Sequence, residues 1–295
     1  MNRRQFIGAC AALPLAAKAA SWRNSASVGS GLRRLQVVDM TTYTGKPALG
    51  TYGEVRGSLV YSSALSFPDG MAGAIGLPTQ ASVVSAMQNA GGGSGVFPNG
   101  RYCRVIDIEY PWSYETSLHL YDQSTVNTAI SKYAQVMTWA SAVDTFNDTL
   151  GFYDVFPQPY QDWERIVNNT QGGTSSWISD NAALSAICDV VQVYYPSFYC
   201  WENDFTKWTT FVDYKLNELS RYAPGARIIP FMWSKFYDGT SYPEAGTDIP
   251  LNTLHKMHRY LAERVKDVIM WDASATAWDG NAGWWQTTLR ASRGL

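Results

Sequence analysis

Short apolar runs recur along this chain, each bounded by turn residues and separated by stretches of helical periodicity. The runs are residues 35–40 (LQVVDM), 58–63 (SLVYSS), 103–109 (CRVIDIE), 150–156 (LGFYDVF), 189–195 (DVVQVYY), 226–233 (ARIIPFMW) and 267–273 (DVIMWDA). Near-continuous apolarity over so short a span marks a strand buried on both faces. Helical patterns fall near 79–89, over 124–148, near 179–187, and over 203–222, 251–265 and 282–291. Residues 157–178 read as a polar loop, and the Gly-rich segment 91–95 as a flexible one. Strand–helix alternation predicts an α/β fold with a parallel sheet. Seven strands within one long domain, residues 21–295, predict a TIM-like (β/α) barrel with seven strands rather than eight.

Residues 1–20 depart from that pattern. Arg3 and Arg4 precede an apolar stretch, and alanines at 16, 17, 19 and 20 follow it, which predicts a cleaved export signal of the twin-arginine type. The stretch is too short to span a membrane, so the mature chain is expected in the periplasm or outside the cell. The net charge is −2, and losing the leader's three cations makes it about −5. That balance shows no basic stripe and excludes the usual nucleic-acid binder. No phosphate loop or GxGxxG follows the first strand, so no nucleotide cofactor is expected. Cys103, Cys188 and Cys200 follow the leader; Cys103 and Cys188 fall at predicted strand starts, and a Cys188–Cys200 bridge stays open. His255 and His258 are read as a solvated helix face, and no metal is expected. No protein partner is implied.

Barrel enzymes carry their chemistry at the C-terminal strand ends. The run 103–109 presents Asp107 and Glu109 there. Alternation puts both on the inward face with Val105 and Cys103, about 6.6–7 Å apart along the strand. Ile106 and Ile108 then point outward. Two inward carboxylates are costly as structure alone, and a like-charge pair raises one pKa, as a general acid requires. Asp154 and Asp272 are the other strand-end acids, while the strand ending in Trp233 offers none. A two-carboxylate mechanism would pair Glu109 with Asp154 or Asp272. The more economical one uses the substrate's own N-acetyl oxygen as nucleophile, with Glu109 as acid and Asp107 as its partner. The 12 Trp and 18 Tyr supply flat faces for sugar rings as well as core. Tyr110, Tyr194 and Trp233 are strand-end candidates for substrate contact. Alternation that turned Asp154 inward would turn Tyr153 outward.

Several segments resemble the animal and venom hyaluronidases, and they occur in the same order over about residues 100–275. VIDIEYPW at 105–112 resembles that family's VIDWExWRP, and GFYDVFPQPY at 151–160 its GYYxFPxCY. VYYPSFY at 193–199 resembles its LYPSIY strand, RIIPFMWSKFYDG at 227–239 its strand ending in Phe-Tyr-Asp, and VIMWDAS at 268–274 its VVLW segment. Pro250, Leu251 and Leu254 match the start of its next helix. The resemblance implies an exported hydrolase of an N-acetylhexosamine polysaccharide. It implies Glu109 as acid, Asp107 as partner, Tyr195 on the acetamido group and Trp271 walling a sugar subsite. DIEYP also resembles the corresponding strand of family-eighteen chitinases, though Tyr102, Cys103 and Val105 stand where those carry further acids. Asp154 stands where the hyaluronidases have a tyrosine, Pro159 where they have a cysteine, and their arginine after the WExW segment is missing. These departures and the acidic balance leave the glycan open, along with a non-catalytic, carbohydrate-binding barrel.

Overall fold

Parallel pairing dominates the computed structural model, which describes residues 34–69, 76–90, 103–109, 112, 122–144, 149–273 and 276–294. The predicted leader, the 91–95 loop and Tyr110 lie outside the described residues. The strands are β1 (Gln36–Thr41), β2 (Val55–Tyr61), β3 (Cys103–Asp107), β4 (Leu150–Phe152), β5 (Val193–Tyr194), β6 (Arg227–Ile228), β7 (Phe231–Met232) and β8 (Asp267–Asp272). Six form one sheet in the order β4-β3-β2-β1-β8-β7, and β5 pairs with β6. Single parallel bridges, Tyr153 to Tyr195 and Ser197 to Phe231, carry the ring across β5. β6 and β7 occupy the single run expected at 226–233. Pro230 divides them because it has no N–H to offer β8, although its carbonyl still accepts from Ile269 N at 2.8 Å. The α/β barrel with seven strand positions is therefore the observed architecture.

The inward face packs Val38, Met40, Val55, Cys103, Val105, Val193, Ile229, Phe231 and Ile269 into one buried cluster. The alternate residues, such as Val60, Ile106, Phe152 and Tyr194, pack outward under the helices. Gly151 makes the approach of β4 to β5 feasible: a Cβ there would sit 2.3 Å from the Val193 carbonyl oxygen.

The helices are α1 (Gln80–Ala90), α2 (Gln123–Ser141), α3 (Asp162–Ile166), α4 (Gly173–Leu184), α5 (Phe205–Tyr222), α6 (Leu251–Ala262) and α7 (Gly283–Arg293). Asp122 caps α2 through Thr125 N, and Asp204 caps α5 through Thr206 N and Lys207 N. The expected polar loop at 157–178 holds α3 and the start of α4. Its polarity misleads because Asp162 and Arg165 are buried in ion pairs. The strand expected from 189 begins only at Val193, and Cys188 lies in a tight turn, Ser185–Asp189. Cys103, Cys188 and Cys200 are all free, so the Cys188–Cys200 bridge is not made. His258 is fully buried rather than solvated, with Nδ1 2.8 Å from the Leu254 carbonyl oxygen. Among the described residues, no helix is long and apolar enough to cross a membrane, and no cluster of three His, Cys, Asp or Glu could hold a metal.

Candidate active site

The C-terminal end of β3 delivers the two expected acids. Asp107 is buried, in register with Tyr61 of β2, and Glu109 follows it, exposed at the barrel mouth. The strand end is held by α2, whose Tyr133 hydroxyl donates to the Ile108 carbonyl at 2.9 Å. Val105 and Cys103 lie in the inward cluster below them, while Ile106 and Ile108 pack outward, as alternation requires. Crowding around the Glu109 carboxyl desolvates it, and the negative charge of Asp154 adds to the effect. Both raise its pKa above the ordinary glutamate value.

Asp154 sits one residue past the bridge at the end of β4. Its φ of 38° departs from strand geometry, so it does not continue the alternation. Tyr153 consequently takes the inward face, its ring 4.9 Å from Phe231, contrary to the expected outward turn. Asp154 Oδ1 accepts from Ser197 N at 2.9 Å and from Lys215 Nζ at 3.2 Å. Lys215 also donates to Asp162 Oδ2 at 2.6 Å. Asp154 is a buried, ion-paired carboxylate close enough to Glu109 to act on it.

An aromatic wall rises opposite. Trp233 and Trp271 meet edge to face at 5.3 Å, and Tyr199 lies 6.0 Å from Trp271 and 6.2 Å from Trp233. Tyr237 stacks on Tyr199 at 5.8 Å, and Trp201 meets Tyr237 at 5.2 Å. Trp271 Nε1 donates to the Tyr61 hydroxyl at 3.4 Å. Trp233 Nε1 is buried without a hydrogen-bond partner, leaving a donor in the wall. Trp271 faces inward, so its neighbour Asp272 faces out and accepts from the Tyr43 hydroxyl at 2.5 Å. That separates Asp272 from Glu109.

Two tyrosines expected at the site lie elsewhere. The Tyr195 ring is inward, but its hydroxyl donates to the Thr149 carbonyl and accepts from Cys103 Sγ at 3.1 Å, both at strand starts. It packs in the lower barrel. Tyr194 faces outward, packing on Phe156 with its hydroxyl 3.5 Å from the Cys188 carbonyl oxygen. Tyr199 and Tyr153 stand at the mouth instead and share a hydrogen bond. Burial pushes both hydroxyls well above the usual tyrosine range, and the charge of Asp154 adds to it. Tyr199 was legible as the last Tyr of the YPSFY segment: Pro196 interrupts the strand, and three residues on the chain has reached the rim. Lys215 was legible as a cation on the apolar stripe of α5, between Trp208, Phe211, Val212 and Leu219.

Solved structures share this architecture. The chain superposes on bee venom hyaluronidase in complex with a hyaluronic acid tetramer with a TM-score of 0.54 at 12% identity, covering 87% of this chain and 94% of that one. A second structure of bee venom hyaluronidase gives 0.53 at 12% identity over 87% and 95%. A broad-specificity endoglucanase from an uncultured bacterium gives 0.49 at 11% identity over 88% and 80%. No family model matches the chain, and no curated protein matches its sequence. At these identities the likeness to the hyaluronidase is one of fold alone, a parallel α/β barrel.

Proposed function

We propose that the protein is a glycoside hydrolase acting on a polysaccharide that contains N-acetylhexosamine. The observation that carries this is Glu109, a carboxyl of raised pKa at a barrel mouth, two residues from the buried Asp107 and opposite a wall of indole and phenol rings. Glu109 donates its proton to the glycosidic oxygen as the bond from that oxygen to the anomeric carbon breaks. The substrate's acetamido oxygen attacks the anomeric carbon and closes a cyclic intermediate. Asp107 accepts a hydrogen bond from the acetamido N–H and offsets the charge that forms. Glu109, now a carboxylate, takes a proton from water as that water opens the ring, so configuration is retained. Tyr199, with Tyr153, is the hydroxyl group for the acetamido oxygen, the role first expected of Tyr195. Trp271 and Trp233 pack against the sugar. The leader makes this an exported enzyme.

Asp154 favours a second reading, a two-carboxylate enzyme, because it stands near Glu109. Its Oδ1 is engaged by Ser197 and Lys215, which weakens it as a nucleophile. Hyaluronan, chondroitin, chitin and peptidoglycan should be screened with product sizing, using the mature protein and Glu109→Gln. We expect turnover on at least one, reduced about 10²–10⁴-fold in the variant. Full activity in Glu109→Gln would remove it as the acid. Hydrolysis of glycans lacking any N-acetyl group would favour Asp154 as the nucleophile. Tight binding without turnover would leave a carbohydrate-binding barrel.

A further inference from the structure

The mouth holds a charge arrangement that the reaction above does not use. The Lys215 side chain has no exposed surface, and its ammonium lies 3.2 Å from Asp154 Oδ1 and 2.6 Å from Asp162 Oδ2. A dry ammonium is tolerated only against opposite charge. Two carboxylates around one ammonium leave a surplus negative charge when all three are ionised. That surplus sits at the end of β4, next to β3. The register pairs Ile106 with Phe152, and Tyr153 N donates to the Ile106 carbonyl at 3.0 Å, so Asp154 comes level with the residue before Glu109. Ser197 N and Lys215 both hold Asp154 Oδ1, which prevents the carboxylate from rotating away.

We propose that Asp154 is a positioning residue for Glu109: a clamped, buried carboxylate whose charge, maintained by sharing Lys215 with Asp162, holds the proton on the acid. The proposal rests on Glu109 being the general acid. The other titratable groups around Glu109 are Tyr61 from β2, Asp107 from β3, Tyr153 from β4 and Tyr199 beyond β5 on the mouth side, and Tyr133 of α2 behind the strand end. Burial raises all four tyrosines, so they stay neutral hydroxyls over the working range. Lys215 is raised too, because the two carboxylates outweigh its burial, and it stays charged. Asp162 is pushed up to about 6, first by burial, with Lys215 opposing and Asp154 adding. With both carboxylates ionised they draw on the one ammonium, so Asp154 is only partly neutralised; with Asp162 uncharged, Lys215 serves Asp154 alone and less charge faces Glu109.

The test is to titrate the Glu109 side-chain carboxyl by carbon NMR in the wild-type protein, Asp154→Asn and Asp162→Asn. Asparagine keeps an oxygen for Ser197 N and removes the charge. We expect the Glu109 midpoint to fall by about one pH unit in Asp154→Asn and by less in Asp162→Asn. A midpoint unmoved in Asp154→Asn overturns the proposal. If that variant does not fold, an unmoved midpoint in Asp162→Asn overturns it. The titration needs no turnover, so it stands apart from the glycan screen and from Glu109→Gln, which test the acid itself. On a hydrolysed glycan, the basic limb of kcat/KM should move down with the midpoint. A merely structural Asp154 would lower kcat at every pH and leave the limb in place, which overturns the proposal. Loss of all turnover even at low pH would make Asp154 a reacting group and overturn it equally.

Discussion

Asp154 at the end of β4 and Glu54 just before β2 are both carboxyls withdrawn from water, but only Asp154 has a cation in direct contact. Glu54 is 2% exposed, and neither of its oxygens has a hydrogen-bond partner. The nearby ammonium, Lys46, lies 2.6 Å from Asp39 instead. Burial pushes Glu54 up to about 9, Asp39 adds to the rise, and Lys46 and Arg293 only partly oppose it. It is a neutral acid at pH 7. Asp154 is also raised by burial, but Lys215 and Ser197 N pull it back. The difference shows that depth alone does not decide whether an acid can offer charge. Placement of one ammonium does, and in this barrel the fully buried ammonium is at the mouth.

The largest way to break this contrast is Lys215→Met. It leaves Asp154 and Asp162 buried against each other, and urea unfolding at pH 7 should show a loss of about 3–5 kcal/mol. The loss should shrink in acid, where the carboxyls protonate. An unchanged midpoint would mean that Lys215 is not what sustains the pair. Glu54→Gln should act in the opposite direction. The folded-state pKa of Glu54 is raised from 4.5 to about 9, so its contribution is whole below 4.5 and is lost as pH rises toward 9. At pH 7 the ionised unfolded state is favoured by about 3 kcal/mol, which the glutamine should restore. Thermal unfolding across pH 5 to pH 9, about the range between the two pKa values, should slope downward in wild type and flatten in the variant. Lys46→Met should have the smallest effect, about 1–2 kcal/mol, because Asp39 keeps Thr41 N at 3.0 Å and the Thr41 hydroxyl at 2.8 Å. A loss as large as that of Lys215→Met would erase the distinction between the clusters.

The barrel was legible because its strands are apolar on both faces, and such runs have few other uses. The pair Asp107 and Glu109 was legible for the same reason, as charge interrupting an apolar run. Trp233 was legible as the last ring of its strand, and Trp271 through the resemblance of VIMWDAS to the hyaluronidase segment. Tyr195 obeyed alternation, yet a position on the inward face does not say whether a ring leans up or down the barrel. Its hydroxyl went to Thr149 at the base. Asp154 eluded the pattern because a positive φ breaks the period that would have oriented it. The segment 157–178 eluded it because Asp162 and Arg165 are buried polar residues whose partners, Lys215 and Asp180, lie 53 and 15 residues further along the chain. Pairing across that distance leaves little local mark.

The downward lean of Tyr195 gives the barrel a floor. With its hydroxyl fixed between Thr149 and Cys103, and Arg227 paired to Asp267 at 3.2 Å among the strand starts, the interior is a cup and not a tube. On the function proposed above, a glycan is engaged from the mouth side, because the strand-start end is filled by the Tyr195 hydroxyl and its partners.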